Sequence, residues 1–286
     1  MPKRKLRRIR LHEFMDRYVE DYLKIKDARS WKREMGRIRR ILEYFGNPYV
    51  DKIYTDDLEH FLAGLQRSGL KPATINRYIA RLSSLMKRAM AWGYRQDNPV
   101  VSIENLRESK MGDRYLEDSE YQTLLETCGP VLRALVVLAA NTGIRRGELM
   151  TLRWEDVDFD NAQLVIRAVN SKTAESRVVP LNLDVIDSLR SLDPKPVGQV
   201  VPFKNFPRQQ WDEVRANLGW DRIETPRLKG WRWHDFRHDA ASRMAMADVP
   251  LSKIGKILGH KSLVTTQRYA HMSDKSLHDA VDRIRR

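Results

Sequence analysis

Apolar residues recur at helical spacing throughout the first hundred residues. In each of four stretches they fall on one face of a helix, and glycine or proline closes most of the stretches. The pattern therefore predicts four amphipathic helices, packed as one unit over residues 11–101. The stretches are 11–26, 29–45, one from near Thr55 to Gly69, and one beginning near Pro72.

The periodicity is weak over 102–113, which predicts a linker, and a second domain is predicted over 114–286. Within 157–180 the period changes to that of three short strands separated by tight turns. The fold class predicted is therefore mainly α: a four-helix N-terminal domain and a mostly helical second domain with a small antiparallel sheet. Its helices are predicted at 119–127, 130–141, 145–152, 182–192, 207–218, 235–247, 250–258, 262–270 and 274–284.

Positive charge is concentrated in the first third of the chain. The net charge is +14, and residues 1–101 hold 23 Lys and Arg against 12 Asp and Glu. Residues 102–286 hold 29 against 26. An excess of this sign indicates a polyanionic partner such as DNA, with the first part acting as a general clamp.

Two features of this first part are candidates for contact with DNA. Residues 1–10 (MPKRKLRRIR) form a basic tail that is either solvated or lies along phosphates. The fourth predicted helix has a basic face opposite its apolar stripe, which is either ordinary solvated surface or a surface that contacts a DNA groove. The DNA-binding candidates on that face are Arg77, Arg81, Lys87 and Arg88.

Cys128 is the one cysteine, which excludes an internal disulfide and a cysteine-rich zinc site and fits a reducing cytoplasm. Its helical context predicts a position in or near the core. The longest apolar run, Ala134–Ala140, is too short to span a bilayer. The expected location is the cytoplasm, in association with the nucleoid, without a membrane partner.

Four segments of the chain carry the candidate chemistry: TGIRRGELMTLRWEDVDF, SKTAESRVVPL, WHDFRHDAASR and LGHKSLVTTQRYAH. They supply two arginines that can neutralise a phosphate, two histidines and a late tyrosine. In order and spacing they resemble tyrosine recombinases of the phage-integrase and Xer type. The resemblance is strong over 110–286. It is looser over 11–101, which is similar to the helical (SAM-like) core-binding domain of that family.

The resemblance implies that Arg145 and Arg237 bind the phosphate, each through a planar guanidinium that can donate two parallel hydrogen bonds. Arg146 competes with Arg145 for this role but is expected to form surface salt bridges. Glu148 is expected to orient its neighbours rather than to transfer a proton. Lys172, at the tip of the predicted hairpin, is implied to protonate the departing 5′ oxygen.

Tyr269 is the implied nucleophile, and it would form a 3′-phosphotyrosyl bond and release a 5′ hydroxyl. A free tyrosine has a pKa near 10, so roughly 0.1% is phenolate at neutral pH. We expect Arg145, Arg237 and His260 to provide the cationic surroundings that activate it. His260 is also expected to bond the phosphate, and His234 either accepts the tyrosine proton or bonds the phosphate.

Two further histidines are expected to be structural. His238 lies four residues after His234, a spacing that can bind zinc. The pair lacks the intervening glutamate and a nearby cysteine, so no metal is expected. His271 is close to the nucleophile in sequence and is given a packing role. No cofactor or ATP is expected, because the phosphotyrosyl ester keeps the energy of the broken bond.

The implied function is site-specific recombination by a homotetramer on two double-stranded DNA sites, through a Holliday junction. Host DNA-bending or directionality proteins are possible additional partners. The predicted last helix, with Leu277, Val281 and Ile284 on one face, packs on its own domain or on a neighbouring protomer. Alternatives are a type IB topoisomerase, a DNA-binding relative without catalysis and, more distantly, a metallonuclease.

Overall fold

The chain divides into two compact units, residues 1–110 and 111–286. The computed structural model describes residues 6–26, 31–108, 112–168, 175–220, 222 and 227–273. Lys172 and the predicted helix 274–284 lie outside the described residues.

The first unit contains the four predicted helical stretches, and the mainly helical fold is confirmed. The first stretch is interrupted by a π-helical turn, and the fourth begins at Pro72, whose fixed φ suits a first helical position. Apolar side chains from all four stretches form one core. The elements are α1 (Leu11–Tyr18), the π turn (Val19–Leu23), α2 (Lys24–Lys26), α3 (Trp31–Phe45), a 3₁₀ turn (Val50–Lys52), α4 (Thr55–Arg67) and α5 (Pro72–Ala91).

Part of the predicted basic tail belongs to the folded unit. Ile9 is 5% exposed and lies in the core, and Arg10 forms an isolated antiparallel bridge with Tyr49. The backbone N–H of Arg7 donates to the carbonyl of Gly93 at 3.0 Å. The predicted start of the first domain, residue 11, is therefore too late. Residues 6–10 already belong to the folded unit, because Ile9 is buried in its core.

The second unit is built around α7, whose side chains are buried almost all round. Most predicted helix bounds of this unit agree with the structure to within two residues, and two differences bear on the site. Arg145 is extended and precedes α8, and the helix predicted over 262–270 is α13 followed by a 3₁₀ turn (Ala270–Ser273). The helices are α6 (Asp118–Thr127), α7 (Pro130–Thr142), α8 (Arg146–Met150), α9 (Leu183–Arg190), α10 (Arg208–Asn217), α11 (Asp235–Met246), α12 (Leu251–Leu258) and α13 (Val264–Gln267).

The predicted three-stranded antiparallel sheet is present. Its strands β1 (Val157–Asp158), β2 (Gln163–Ile166) and β3 (Arg177–Pro180) follow the order β1-β2-β3. Leu164 pairs with Val179, and both side chains are fully buried in the core of the second unit. This register leaves Arg177, at the start of β3, next to the end of α12.

Aromatic side chains fix the start of α11. Trp211, Trp231, Trp233 and Phe236 form a network of edge-on ring contacts in the core. Large rigid rings of this kind bury much apolar area and hold the backbone on both sides of them. Among the described residues no helix is long and apolar enough to cross a membrane.

Candidate active site

Three arginines from distant parts of the chain meet at the C-terminal end of α12. The carbonyls of residues 257–259 accept one hydrogen bond each, from Arg177, Arg237 and Arg145, at 2.9, 2.6 and 3.0 Å. The last carbonyls of a helix have no partner within the helix and carry its negative partial charge. The end of α12 therefore gathers cations immediately before His260.

Glu148 links two of these arginines. Its carboxylate accepts from the Arg145 side chain at 2.8 Å and from the Arg145 backbone N–H at 2.9 Å, and the second bond satisfies a backbone donor at the start of α8. Arg177 donates to both oxygens of the same carboxylate. Burial raises the pKa of Glu148, but the hydrogen bonds from Arg177 and Arg145 outweigh it, and the pKa lies below its ordinary value. The carboxylate thus stays ionised and fixes both arginines.

Arg237 is 4% exposed and donates to the carbonyl of Gly143 at 2.8 Å. Gly143 ends α7 with φ of +62°, in the left-handed region. A Cβ at this position would overlap the Leu258 side chain. Glycine therefore allows α7 and α12 to approach closely enough for Arg237 to bond both of them.

The cluster has more positive than negative charge. Arg145, Arg177 and Arg237 surround one carboxylate, that of Glu148. Burial, and then repulsion from Arg145, lowers the pKa of Arg237 to about 9, which still leaves it charged at neutral pH. A site with surplus preorganised cations is suited to bind an anion such as a phosphodiester.

His260 is oriented by a buried hydroxyl. Its Nδ1 lies 2.8 Å from Oγ1 of Thr266, which is fully buried. Burial, followed by repulsion from Arg237, lowers the pKa of His260 to about 4, so the imidazole is neutral at physiological pH. When the threonine hydroxyl donates to Nδ1, the ring hydrogen lies on Nε2, where it can be donated to a ligand.

Tyr269 is 5% exposed and packs in a small apolar cluster with Ala241 and Ile254. Burial raises the pKa of its phenol, and the opposing effects of Arg268 and Arg237 do not offset it. In the chain without DNA the cationic neighbours therefore do not lower the pKa of this tyrosine, and its activation on DNA stays a prediction. Desolvation dominates, because the ring lies between apolar side chains.

His238 contacts the hydroxyl of Tyr269. Its Nδ1 lies 2.6 Å from the phenolic oxygen, and the His234 ring stands perpendicular to the His238 ring with centroids 5.3 Å apart. His234 is exposed at the surface, yet partial desolvation by its neighbours, followed by repulsion from Arg237, lowers its pKa. The sequence pattern predicts only a packing role for His238. The signal in the sequence is its position one helical turn after His234, which places the two histidines on the same face.

Three other residues were singled out from the sequence. The structure describes the surroundings of two of them and does not describe the third. Arg146 stands over the ring of Phe206 at 5.2 Å, and its expected salt bridge is not found within the described part of the chain. His271 lies 2.9 Å from the carboxylate of Asp113. Lys172 falls in 169–174, which the structure does not describe. Within the described part of the chain, no group of three or more His, Cys, Asp or Glu residues could hold a metal ion.

The four DNA-binding candidates of α5 differ in their surroundings. Arg77 and Lys87 are exposed. Arg81 instead donates to Glu34 and to a buried tyrosine hydroxyl, and Arg88 stacks over a tyrosine ring at 3.7 Å. Two of the four therefore have structural partners within the first unit. Contact of any of them with DNA stays a prediction.

Family models match both units. The model described as the phage integrase family matches residues 114–276, and the phage integrase SAM-like domain matches residues 10–106. The first match alone spans more than half of the chain, and it contains every residue of the cluster described above.

Relatives of known function match along most of the chain. The Shufflon-specific DNA recombinase of Escherichia coli is 29% identical, with 100% of this chain and 75% of that protein covered. The tyrosine recombinase XerD of Staphylococcus saprophyticus is 25% identical, with 92% of this chain and 96% of that protein covered.

Solved structures share the fold. The Tn1549 transposon integrase in complex with a circular intermediate DNA gives a TM-score of 0.77 at 19% identity, covering 94% of this chain and 98% of that one. A lambda integrase dimer bound to a core site gives 0.76 at 21% identity, covering 93% of this chain and 78% of that one.

Proposed function

The chain belongs to the phage integrase family and is a tyrosine-type DNA strand transferase, and we propose that Tyr269 is the nucleophile with which it breaks and rejoins duplex DNA at specific sites. The observation that carries the proposal is the surplus of arginines beside His260, which are buried or partly buried and are held by Glu148 and by backbone carbonyls. Such a site binds a phosphodiester without needing to reorganise when charge develops on it.

Arg145 and Arg237 hold the nonbridging oxygens of the scissile phosphate. Charge grows on these oxygens in the pentacoordinate transition state, so cations already in place lower the barrier. Loss of one such donor costs roughly 3–4 kcal/mol of transition-state stabilisation. Glu148 and the α12 carbonyls keep both guanidiniums in position before substrate arrives.

His260, fixed by Thr266, donates from Nε2 to a phosphate oxygen, and the exposed His234 contacts the same phosphate. The oxygen of Tyr269 forms a bond to phosphorus, and the bond from phosphorus to the 5′ oxygen breaks. Lys172 supplies the proton that the leaving oxygen takes up. The products are a 3′-phosphotyrosyl ester and a 5′ hydroxyl, and attack by a 5′ hydroxyl from another strand reverses the step.

The proposed substrate is a pair of duplex sites held by four copies of this chain. A lambda integrase tetramer bound to a Holliday junction shares this fold, with a TM-score of 0.69 at 20% identity and coverage of 89% of this chain and 78% of that one. Exposed cations, including Arg77 and Lys87, contact the phosphates of the DNA backbone and supply much of the affinity for DNA. Prophage or mobile-element integration is the proposed setting.

Covalent trapping tests the proposal. The protein is incubated with fragmented genomic DNA in EDTA, denatured, and the protein-linked DNA is recovered and its ends are sequenced. Tyr269→Phe is run in parallel, together with Tyr121→Phe as a matched control, because Tyr121 is a buried tyrosine of the same unit whose hydroxyl bonds Asn141.

We expect adducts at discrete sites, linked through the 3′ phosphate, with the wild-type and Tyr121→Phe proteins and none with Tyr269→Phe. Scattered adducts would indicate relaxation of the topoisomerase kind. Adducts that persist in Tyr269→Phe would reject the nucleophile, and adducts that EDTA abolishes would indicate a metallonuclease.

A further inference from the structure

The hydroxyl that attacks in the proposed function is already hydrogen-bonded to a histidine. Nδ1 of His238 lies 2.6 Å from the Tyr269 oxygen, with both side chains largely buried. His238 follows Arg237 directly on α11, so a single helix holds the phosphate cation and the partner of the nucleophile. His234 contacts the His238 ring on the side of the site.

His238 is in the chemical state of an acceptor. Burial, followed by repulsion from Arg268 and then His234, lowers the pKa of His238 to about 3. The imidazole is therefore neutral at physiological pH, and a neutral imidazole carries a hydrogen on one ring nitrogen only. A phenol whose pKa burial has raised keeps its hydrogen, and in the tautomer with the ring hydrogen on Nε2 the phenol donates and Nδ1 accepts.

We propose that His238 takes the hydroxyl proton of Tyr269 as the tyrosine attacks DNA, an inference that rests on the proposed function of Tyr269. The O–H bond of the tyrosine breaks and an N–H bond forms at Nδ1 of His238. At the same time the tyrosine oxygen bonds to phosphorus, and the 5′ oxygen leaves with the proton from the general acid. On rejoining, the imidazolium returns its proton to the tyrosine.

The surroundings of His238 make this transfer depend on DNA. The cations that face it are Arg237 and Arg232 near the start of α11, and Arg268 on the segment that carries Tyr269. A phosphodiester bound at the arginines places a negative charge against them and offsets their repulsion of a proton on the imidazole. The proton stays on the tyrosine until DNA is bound, so the tyrosine does not react with other phosphates before then.

Two substitutions separate proton transfer from positioning. His238→Ala removes both the acceptor and the base. His238→Asn keeps an oxygen that can accept the hydrogen bond from Tyr269 but cannot take up a proton at neutral pH. The rate of covalent complex formation is measured on a nicked duplex built from a site recovered by trapping, with DNA affinity and thermal unfolding measured for each variant.

We expect both variants to bind the duplex as the wild type does and to form the covalent complex roughly 100-fold more slowly or worse. A wild-type rate in His238→Asn would reduce His238 to a hydrogen-bonding role and overturn the proposal. A wild-type rate in His238→Ala would overturn it as well.

A sulfur-bridged substrate shows whether His238 acts on the proton of the attacking tyrosine or on the proton that the leaving group takes up. A duplex with sulfur in place of the 5′ bridging oxygen releases a thiol, whose low pKa removes the need for a general acid. We expect this substrate to restore the rate of Lys172→Ala and to leave His238→Asn slow. Restoration of His238→Asn would assign the histidine to the leaving group instead.

Added imidazoles of different basicity complete the test with His238→Ala. A rescued rate that rises with the pKa of the imidazole supports proton transfer, because general-base catalysis follows basicity. Equal rescue by all of them would show that they only fill space, which contradicts the proposal. Absence of wild-type adducts in the trapping experiment would reject the proposed function itself, whereas fast cleavage by His238→Asn rejects only this inference.

Discussion

Arg177 donates to both carboxylate oxygens of Glu148, at 3.0 and 2.7 Å, and the same carboxylate holds Arg145. The same arginine reaches the end of α12 through the carbonyl of Ile257. The sheet therefore contributes to the arginine cluster, although the sequence pattern assigned no role to any of its described residues. Through Glu148, the position of β3 determines the position of Arg145.

Replacement of Arg177 with methionine would leave Glu148, whose side chain is 1% exposed, with Arg145 as its remaining ion-pair partner among the described residues. Breaking a buried ion pair costs about 3–5 kcal/mol, so we expect a loss of that order in the free energy of unfolding in urea. Arg153→Met is the control, because its pair with Glu155 is largely exposed and should contribute about 1 kcal/mol or less. Equal losses in the two variants would contradict this assignment.

Removal of the Thr266 hydroxyl should affect catalysis more than folding. In Thr266→Val the His260 ring loses the partner of its Nδ1 and is no longer held with Nε2 towards the site. One lost hydrogen bond corresponds to roughly a 10-fold decrease in the rate of covalent complex formation. Thr266→Ser keeps the hydroxyl and should retain a rate close to wild type, and a slow Thr266→Ser would show that the methyl group matters instead.

Gly143 is predicted to tolerate no side chain. Gly143→Ala combines a strained φ of +62° with overlap of Leu258, and it moves the carbonyl that holds Arg237. Gly219→Ala is a matched control, since Gly219 has φ of +68° with nothing within 4 Å of the added Cβ. We expect Gly219→Ala to lose about 1–2 kcal/mol of stability from strain alone. Gly143→Ala should lose clearly more and should also lose cleavage activity.

We expect Asp239 to give the second unit a distinctive dependence of stability on pH. It is fully buried, and burial raises the pKa of its carboxyl to about 7 from an ordinary value of 3.8. Between these values the folded chain holds a proton that the unfolded chain has released, so its contribution to stability decreases as the pH rises. This contribution is complete below the unfolded pKa and is lost as the pH rises to about 7.

Asp239→Asn removes this titration and can still accept the backbone N–H of Leu116. We expect the variant and the wild type to have similar free energies of unfolding at pH 4. At pH 8 the variant should be more stable by up to about 4 kcal/mol, the equivalent of a three-unit shift. A difference that does not change with pH would show that Asp239 ionises normally in the folded chain.

The α5 cations should separate into two groups. Arg77→Ala and Lys87→Ala each remove an exposed charge, so each should weaken binding to duplex DNA and reduce the slope of log affinity against log salt by about 0.9 per lost phosphate contact. Neither should change stability. Arg81→Met breaks a half-buried pair with Glu34 and should lower the free energy of unfolding by about 2 kcal/mol. An unchanged salt slope in both exposed variants would place the DNA elsewhere.

The sequence by itself determined the helical stretches, the small sheet and the order of the candidate residues. Helical periodicity is a local property, because residues three and four apart share a face whatever the rest of the chain does. The four-helix first unit and the three short strands therefore followed from patterns of neighbouring residues. The predicted boundaries were wrong where a single buried side chain or a helix cap determines the start of an element, as at Ile9 and at Arg145.

The tertiary structure decided which side chains meet. The partner of Tyr269 lies thirty-one residues away in the chain, and Arg177 reaches a carbonyl eighty residues away. No spacing rule connects such positions, since their distance depends on how α11, α12 and β3 pack. Burial, likewise, set the pKa of Tyr269 above its ordinary value where charge alone predicted a lower one. Desolvation depends on every neighbour in space, which only the packed chain defines.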